Sequence, residues 1–208
     1  METSVDSKTY WEGIYARSSP MTSSWYQPEA SRSLELLASL GVGPASRIID
    51  VGGGDSTLVD GLIARRMGRV TVLDLSRTAL QRAQARLSSN AELVTWIEGN
   101  ALHADLPPRS YDVWHDRALF HFLTDRADRQ RYVAAAASAL EPGGAVVIAT
   151  FALDGPERCS GLPVVRYDSA SLATEFGDAF SLQSTVHDLH RTPSGLEQAF
   201  TYAVLRYQ

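Results

Sequence analysis

The chain has 208 residues, 44% of them hydrophobic, which suits one domain with a sizeable core. Its net charge is −5 with acidic and basic residues mixed, so no basic face indicates a nucleic-acid partner. The polar N-terminus lacks a signal-peptide core, and no apolar run approaches the roughly 20 residues that a membrane span needs. We therefore expect a cytoplasmic protein without membrane partners. The single cysteine, Cys159, excludes a cluster of thiolate-bound metal.

The first 45 residues are predicted to form a helical lid, in which a Pro/Ser segment at 18–24 joins two helical stretches. From residue 47 onward, short β-branched apolar runs alternate with longer segments of helical period. This alternation is typical of a parallel sheet covered by helices on both faces. The predicted strands are 47–51, 70–74, 93–98, 111–115 and 145–151, and the predicted helices are 58–67, 79–87 and 127–140.

Two more strand-like segments, 180–187 and 198–206, end the chain. The turn between them, at 191–195, is too short for a crossover helix, so the two segments should pair antiparallel. The predicted fold is therefore α/β: a Rossmann-like, doubly wound sheet, mostly parallel, with an antiparallel C-terminal strand pair. Residues 1–208 are expected to form a single domain, with the lid at 1–45 and the core at 46–208.

A glycine turn follows the first predicted strand, where Ile-Ile-Asp-Val at 48–51 runs into Gly-Gly-Gly-Asp-Ser at 52–56. Glycines let a backbone approach a ligand closely and adopt dihedral angles that a Cβ forbids. The second strand ends in Asp74, whose carboxylate can hold both hydroxyls of a ribose. After the third strand, the side-chain carbonyl of Asn100 can accept a hydrogen bond from an adenine amino group. All of these residues belong at the carboxyl edge of the sheet, where open α/β sheets bind ligands.

This set of motifs resembles the class I S-adenosylmethionine-dependent methyltransferases. The segment 50–54 is similar to the family's first motif, Asp74 to its ribose-binding acid, and Leu-Glu-Pro-Gly-Gly at 140–144 to the turn before its fifth strand. The resemblance implies the cofactor S-adenosyl-L-methionine and the product S-adenosyl-L-homocysteine. The predicted cofactor-binding residues are Trp11, Tyr15, Trp25, Asp50, Gly52, Gly53, Gly54, Ser56, Asp74, Leu75, Asn100, Ala101 and Asp116.

Two positions depart from the family pattern. Its third glycine is Ser56 here, and Asn100 replaces the acid that commonly follows the third strand. Serine can cap a helix N-terminus, and asparagine keeps an acceptor oxygen. A nicotinamide dehydrogenase fits less well, because the third glycine of its fingerprint falls on Thr57 and Asp50 would lie beside a diphosphate.

Two aromatic clusters, at 10–15 and 24–28, precede the sheet and look like the lid helices of small-molecule methyltransferases. A desolvated cation such as a sulfonium gains about 2 kcal/mol over an aromatic ring. Trp11, Tyr15 and Trp25 are therefore predicted to contact the cofactor. The alternative is that they only anchor an N-terminal helix on the core.

The segment 111–122 places two histidines, two acids and an arginine around a strand end. Asp-Arg-Ala-Leu at 116–119 resembles the corresponding stretch of thiopurine and thiol S-methyltransferases. An arginine or a protonated histidine would favour the thiolate of a thiol acceptor, whereas an amine or hydroxyl acceptor needs an acid or histidine as general base. The predicted catalytic residues are His115, Asp116, Arg117 and His121.

The predicted function is thus methyl transfer to a small molecule, with a thiol or other soft nucleophile favoured, by a monomer or homodimer without a metal. A protein lysine N-methyltransferase stays open, because Asp116 also aligns with the acid of lysine methyltransferases that carry Asp-Lys-Gly-Thr. A non-catalytic S-adenosylmethionine-fold binding protein stays open because of Ser56 and Asn100. Two structural alternatives also remain: Asp116 binds only the cofactor's ammonium, or Arg117 pairs with Asp112 or Asp116.

Overall fold

A computed structural model describes residues 7–208, so the first six residues of the predicted lid lie outside the described residues. The helices are α1 (Ser7–Arg17), α2 (Ser31–Ser39), α3 (Leu58–Ala64), α4 (Arg77–Leu87), α5 (Arg126–Ala139) and α6 (Ser169–Phe176). The strands are β1 (Arg47–Val51), β2 (Arg69–Asp74), β3 (Val94–Glu98), β4 (Tyr111–Arg117), β5 (Leu140–Phe151), β6 (Arg158–Cys159), β7 (Leu162–Pro163), β8 (Phe180–Arg191) and β9 (Glu197–Tyr207). Within the described part of the chain, no helix has the length and apolarity that a membrane crossing requires.

Seven strands form one sheet in the order β3-β2-β1-β4-β5-β9-β8. The first five of these strands are parallel, and β9 runs antiparallel to both β5 and β8. The predicted Rossmann-like sheet with an antiparallel end is therefore confirmed. From β1 the chain continues to β2 and β3 on one side of the sheet, and from β4 it continues to β5 on the other side. The strand order therefore reverses between β1 and β4. Ligands of open α/β sheets bind at the carboxyl ends of the strands at such a reversal.

The sheet is buried on both faces, and β1 shows why. Ile48, Ile49 and Val51 are all fully buried, since successive side chains of a strand point to opposite faces. Ile48 joins a cluster with residues of α2, α3 and α4, whereas Ile49 and Val51 join one with residues of α5 and α6. A central strand with a helical layer on each side is thus apolar at almost every position, which explains the continuous hydrophobic run in the sequence.

Several elements end at other residues than predicted. Helix α3 stops at Ala64 rather than at residue 67, because Arg66 and Gly68 adopt positive φ angles of 53° and 85°. Strand β4 continues to Arg117, two residues beyond the prediction. Strand β5 begins at Leu140, which pairs with the start of β4 ahead of a register shift.

The sequence pattern missed one helix and one hairpin. Helix α6 begins with a capping box in which Asp168 accepts the backbone N–H of Ser171 and the Ser171 hydroxyl bonds back to residue 168. The hairpin of β6 and β7 has only two residues in each strand, too few for an alternating pattern. Both lie between β5 and β8, where we predicted no element.

A buried hydrogen-bond network fastens α5 to β4. The Tyr132 hydroxyl donates to Asp116 Oδ2 at 2.5 Å and accepts from Trp114 Nε1 at 2.8 Å. All three side chains are fully buried. Asp116 also accepts the backbone N–H groups of Leu119 and Phe120 at 2.8 and 3.0 Å. The carboxylate is thus held in the interior by three donors.

Removing the hydroxyl in Tyr132→Phe should lower the free energy of unfolding by about 1–3 kcal/mol, because a buried N–H loses its acceptor and a buried carboxylate loses a donor. Urea unfolding followed by circular dichroism measures the change. Tyr207→Phe is the matched control, since the Tyr207 hydroxyl makes no hydrogen bond among residues 7–208, and it should change stability by less than about 0.5 kcal/mol. Equal effects of the two substitutions would contradict the role given to the network.

Candidate active site

A cavity of about 290 Å³ opens at the carboxyl ends of β1, β2 and β4. Its walls include the glycine turn after β1, Asp74 from β2 and Arg117 from β4, and α1 covers it. This is the point at which the strand order reverses, where the topology predicts a ligand. Of all the site residues predicted from the sequence, only Gly54, Asp116 and His121 do not line this cavity.

The glycine turn has no room for side chains. Gly52 has a φ of +70°, and a Cβ there would lie 2.6 Å from the Leu119 side chain. A Cβ on Gly53 would lie 2.6 Å from Asp50 Oδ2 and 2.8 Å from Val72 Cγ1. The turn therefore folds tightly against the strand ends and leaves its backbone accessible to the cavity.

Ser56, which stands in place of a glycine, has a local structural role. Its hydroxyl accepts the backbone N–H of Leu58 at 3.1 Å, at the first residue of α3. Thr57 directs its own hydroxyl away to the carbonyl of Gln27 at 3.0 Å. A serine at this position thus satisfies a helix N-terminal donor and still lines the cavity.

Asp50 and His115 form a buried pair on neighbouring strands. Their Oδ1 and Nδ1 atoms are 2.7 Å apart, and His115 Nε2 lies 2.9 Å from the Ser33 hydroxyl. A neutral ring satisfies both contacts, with Nδ1–H donating to Asp50 and Nε2 accepting from Ser33. The hydrogen-bonded series Ser33–His115–Asp50 has the residue types of a hydrolase catalytic triad. Ser33, however, is only 1% exposed and does not line the cavity. Both ring nitrogens are thus engaged within the protein, and His115 positions Asp50.

Asp74 ends β2 with its carboxylate at the cavity. Its Oδ1 accepts the backbone N–H of Ser76 at 2.8 Å. Burial raises the pKa of Asp74 to about 7, and the nearby carboxylates of Asp50 and Asp55 add to the increase. The group therefore changes charge near neutral pH, although backbone amides partly offset the effect of burial.

Asn100 lines the cavity beside Ala101, and Leu75 faces the same space. The Asn100 Oδ1 atom already accepts the backbone N–H of Leu102 at 2.9 Å. A carbonyl oxygen has a second lone pair, so an adenine amino group can still donate to it. The predicted adenine contact stays a prediction.

Four aromatic side chains cover the cavity. The ring of Trp11 lies 6.2 Å from that of Tyr15, 6.4 Å from that of Trp25 and 5.1 Å from that of Phe122, as measured between centroids. Tyr15 and Trp25 are themselves 5.8 Å apart. All four line the cavity, so the same rings both anchor α1 and form the roof of the site.

Helix α1 is fastened to the core by polar contacts with α4. Glu12 Oε1 accepts the backbone N–H of Arg77 at 2.6 Å, at the first residue of α4. Arg82 donates to the carbonyl of Ser18 at 2.7 Å and also to the carbonyl of Tyr15. These contacts hold the aromatic rings over the cavity.

Two of the predicted catalytic residues lie away from the cavity. Asp116 is fully buried, its oxygens accept hydrogen bonds from Tyr132 and two backbone N–H groups, and it does not line the cavity. His121 is fully buried against Phe122 and Phe151, and burial together with the charge of Arg117 lowers its pKa to about 3.

The structure adds residues that the sequence did not single out. Cys159 and Leu162, on the hairpin of β6 and β7, line the cavity with Phe122. The hairpin turn contains Ser160 and Gly161, both with positive φ, and the Tyr10 hydroxyl donates to the carbonyl of Ser160. The Ser-Gly pair is a turn signal, but no sequence pattern indicates which surface such a turn covers.

A family model described as a methyltransferase domain matches residues 48–144. An uncharacterized methyltransferase of Mycobacterium tuberculosis and one of Mycobacterium bovis are each 32% identical to this chain over 104 residues, 50% of either protein. The chain spans about half the length of these curated relatives. The matched segment contains β1 to β4 and the glycine turn.

Solved structures share the fold at low sequence identity. An S-adenosylmethionine-dependent methyltransferase from Anabaena variabilis is 15% identical with a TM-score of 0.75, and the alignment covers 100% of this chain and 98% of that protein. The Burkholderia thailandensis 1,6-didemethyltoxoflavin-N1-methyltransferase, solved with 1,6-didemethyltoxoflavin and S-adenosylhomocysteine, is 20% identical with a TM-score of 0.72, over 97% of this chain and 85% of that one. A protein described with the conversion of a disulfide bond into a thioacetal group during echinomycin biosynthesis is 20% identical with a TM-score of 0.77, over 97% and 93%. Residues 48–144 thus match the methyltransferase domain family, and the chain shares the fold of S-adenosylmethionine-dependent methyltransferases.

Proposed function

We propose that this chain transfers a methyl group from S-adenosylmethionine to a small molecule, and that the acceptor is a thiol or another soft nucleophile. The proposal rests chiefly on one observation, a cavity at the strand reversal that contains Asp74 and Arg117 under a common aromatic roof. Such a cavity can hold a nucleoside cofactor and a small acceptor side by side. The aromatic roof over the cavity favours a small molecule over a lysine on another protein, which would have to pass beneath these rings to reach the reacting atoms.

The residues present fit the cofactor. The carboxylate of Asp74 can accept hydrogen bonds from both ribose hydroxyls, and the bare backbone at Gly52 and Gly53 lines the cavity in a tight turn that a Cβ would force to move. Asp50, held by His115, gives the cavity a negative charge suited to the cofactor's ammonium. The cofactor, when bound, supplies a methyl group on a sulfonium, a cation that aromatic rings such as those of Trp11 and Tyr15 in the cavity wall can stabilise.

The remaining tasks of the chain are to align the acceptor, to exclude water and, where the acceptor carries a proton, to remove it. The one histidine that lines the cavity within residues 7–208 is His115, and both its nitrogens are occupied. A thiol needs no general base, because its unperturbed pKa of about 8.5 leaves some thiolate at neutral pH. The thiolate's electron pair forms the new sulfur–carbon bond while the bond between the methyl group and the sulfonium sulfur breaks. The negative charge of the thiolate and the positive charge of the sulfonium cancel in this step. A protein described with the conversion of a disulfide bond into a thioacetal group shares this fold, so the fold is compatible with a sulfur acceptor.

We expect the purified protein to label thiols when it is incubated with methyl-labelled cofactor and a panel of thiols, amines and phenols. The readout is the labelled product, separated by chromatography. Labelling of amines alone would refute the thiol proposal, and label recovered as methyl-lysine from lysate proteins would favour the lysine alternative. If S-adenosylhomocysteine produces neither heat nor a thermal shift, the chain is a protein of this fold that has lost the cofactor.

The affinity for S-adenosylhomocysteine should rise about tenfold between about pH 6 and pH 8, because the ribose hydroxyls donate to an ionised Asp74 whose pKa in the free protein is about 7. Binding then lowers this pKa and releases a proton below neutral pH. Calorimetry in buffers of different ionisation enthalpy measures both effects. Asp74→Asn should weaken binding and remove the pH dependence, whereas the exposed Asp178→Asn should preserve it. A pH-independent affinity of the unsubstituted protein would argue against the ribose contact.

Gly53→Ala should raise the dissociation constant of S-adenosylhomocysteine by about tenfold, since the new Cβ would lie 2.6 Å from Asp50 Oδ2 and force the turn to move. Gly43→Ala is the matched control, because the nearest atom to a Cβ there is 3.9 Å away. It should leave affinity unchanged. Normal affinity in a folded Gly53→Ala protein would mean that the turn does not hold the cofactor.

A further inference from the structure

Arg117 presents a fixed guanidinium at the cavity. Its Nε donates to the Tyr202 hydroxyl at 3.1 Å and its Nη1 to the Trp25 carbonyl at 3.2 Å. The guanidinium carbon lies 4.6 Å from the centroid of the Phe200 ring. The Nη2 atom is buried and has no hydrogen-bond partner within residues 7–208. Three neutral groups thus hold the side chain, and the Nη2 amino group is left over.

None of the acids in the described part of the chain forms an ion pair with Arg117, and the candidates are committed elsewhere. Asp112, at the opposite end of β4, pairs with Arg47 at 2.6 Å. Asp116 is held by Tyr132 and backbone amides. Asp188, on β8, pairs with Arg32 at 3.0 Å. Both pairings that the sequence left open for Arg117 are therefore absent.

The titratable side chains that interact electrostatically with Arg117 do not compensate its charge. Burial and the guanidinium charge lower the pKa of His121 and of His190, so both rings stay neutral at physiological pH. Burial raises the pKa of Cys159, which keeps its thiol protonated. A partly buried charge without a counter-ion is costly, and a bound anion would offset that cost.

Building on the methyl transfer proposed above, we propose that Arg117 binds an anionic group of the acceptor, so that the substrate is a small organic anion. The group is either the thiolate that receives the methyl or a carboxylate elsewhere on the same molecule. Arg117 lines the cavity together with Cys159 and Leu162, on the side that the hairpin of β6 and β7 covers. A planar guanidinium whose position is already fixed suits such an anion, because little side-chain entropy is lost when the anion binds.

The first test uses the unsubstituted protein saturated with S-adenosylhomocysteine and two matched pairs of small ligands. One pair is para-nitrothiophenolate and its S-methyl thioether, and the other is para-nitrobenzoate and para-nitrobenzamide. At about pH 8 both anions are ionised, and calorimetry should show at least one binding about tenfold more tightly than its neutral partner. The pair that shows the preference identifies the anionic group. If S-adenosylhomocysteine binds but neither pair shows a preference for the anion, the inference is wrong.

The second test compares Arg117→Met with Arg65→Met, which removes a positive charge that pairs with Glu29 outside the cavity. In Arg117→Met the preference for the anion should fall to within about twofold, while the affinity for S-adenosylhomocysteine changes less than about threefold. Arg65→Met should keep the preference. A preference that survives in a folded Arg117→Met protein overturns the inference, and if this variant does not fold, the paired ligands on the unsubstituted protein still decide. Failure of the unsubstituted protein to bind S-adenosylhomocysteine would instead refute the proposed function.

Discussion

Three carboxylates are buried at the carboxyl ends of neighbouring strands, Asp50 on β1, Asp74 on β2 and Asp116 on β4. A carboxylate removed from water costs several kcal/mol unless hydrogen bonds replace its hydration. The fold meets this requirement differently each time. Asp50 faces His115 across the β1–β4 pairing, Asp74 accepts backbone amides, and Asp116 accepts Tyr132 and two amides. The geometry of the cavity depends on these three arrangements.

The arrangements also divide the carboxylates by role. Asp116 is bonded through both oxygens to groups of the protein, so it stabilises the junction of β4 and α5. Asp50 and Asp74 line the cavity and are available to a ligand. Asp116 resembles acids of methyltransferase active sites in sequence, but its carboxylate is buried and bonded within the protein. A motif therefore identifies a residue's neighbourhood, whereas the direction of its side chain follows from the hydrogen bonds around it.

The sheet was predictable because central strands of a parallel sheet are apolar on both faces, as β1 and β2 are. The glycine turn, Asp50 and Asp74 were predictable as cavity residues because carboxyl ends of parallel strands meet at one edge. Helix α6 carried a readable signal in Asp168 and Ser171, although its eight residues are too few for a convincing period. The position of the β6–β7 hairpin over the cavity was not predictable, because it depends on tertiary packing and local sequence patterns do not encode such packing.

With β4 extended to Arg117, strand geometry excludes both pairings that the sequence left open for this arginine. Asp112 lies five residues away on the same strand, about 16 Å along it and on the opposite face. The adjacent Asp116 also points to the opposite face of β4. What the sequence alone could not supply was the extension of β4 to Arg117, because the predicted strand ended at His115.

The position of the acceptor's anionic group has a catalytic consequence. Methyl transfer to a thiolate cancels the negative charge on the acceptor's sulfur against the positive charge of the sulfonium, so a cavity less polar than water favours the products. A guanidinium paired directly with the thiolate would stabilise the reactant more than the transition state, in which that charge is already decreasing, and would therefore slow the chemical step. A guanidinium paired with a carboxylate remote from the reacting sulfur stabilises both equally and costs no rate once the acceptor is bound. Of the two anionic groups that Arg117 can bind, the remote carboxylate is thus the one that improves affinity without opposing catalysis.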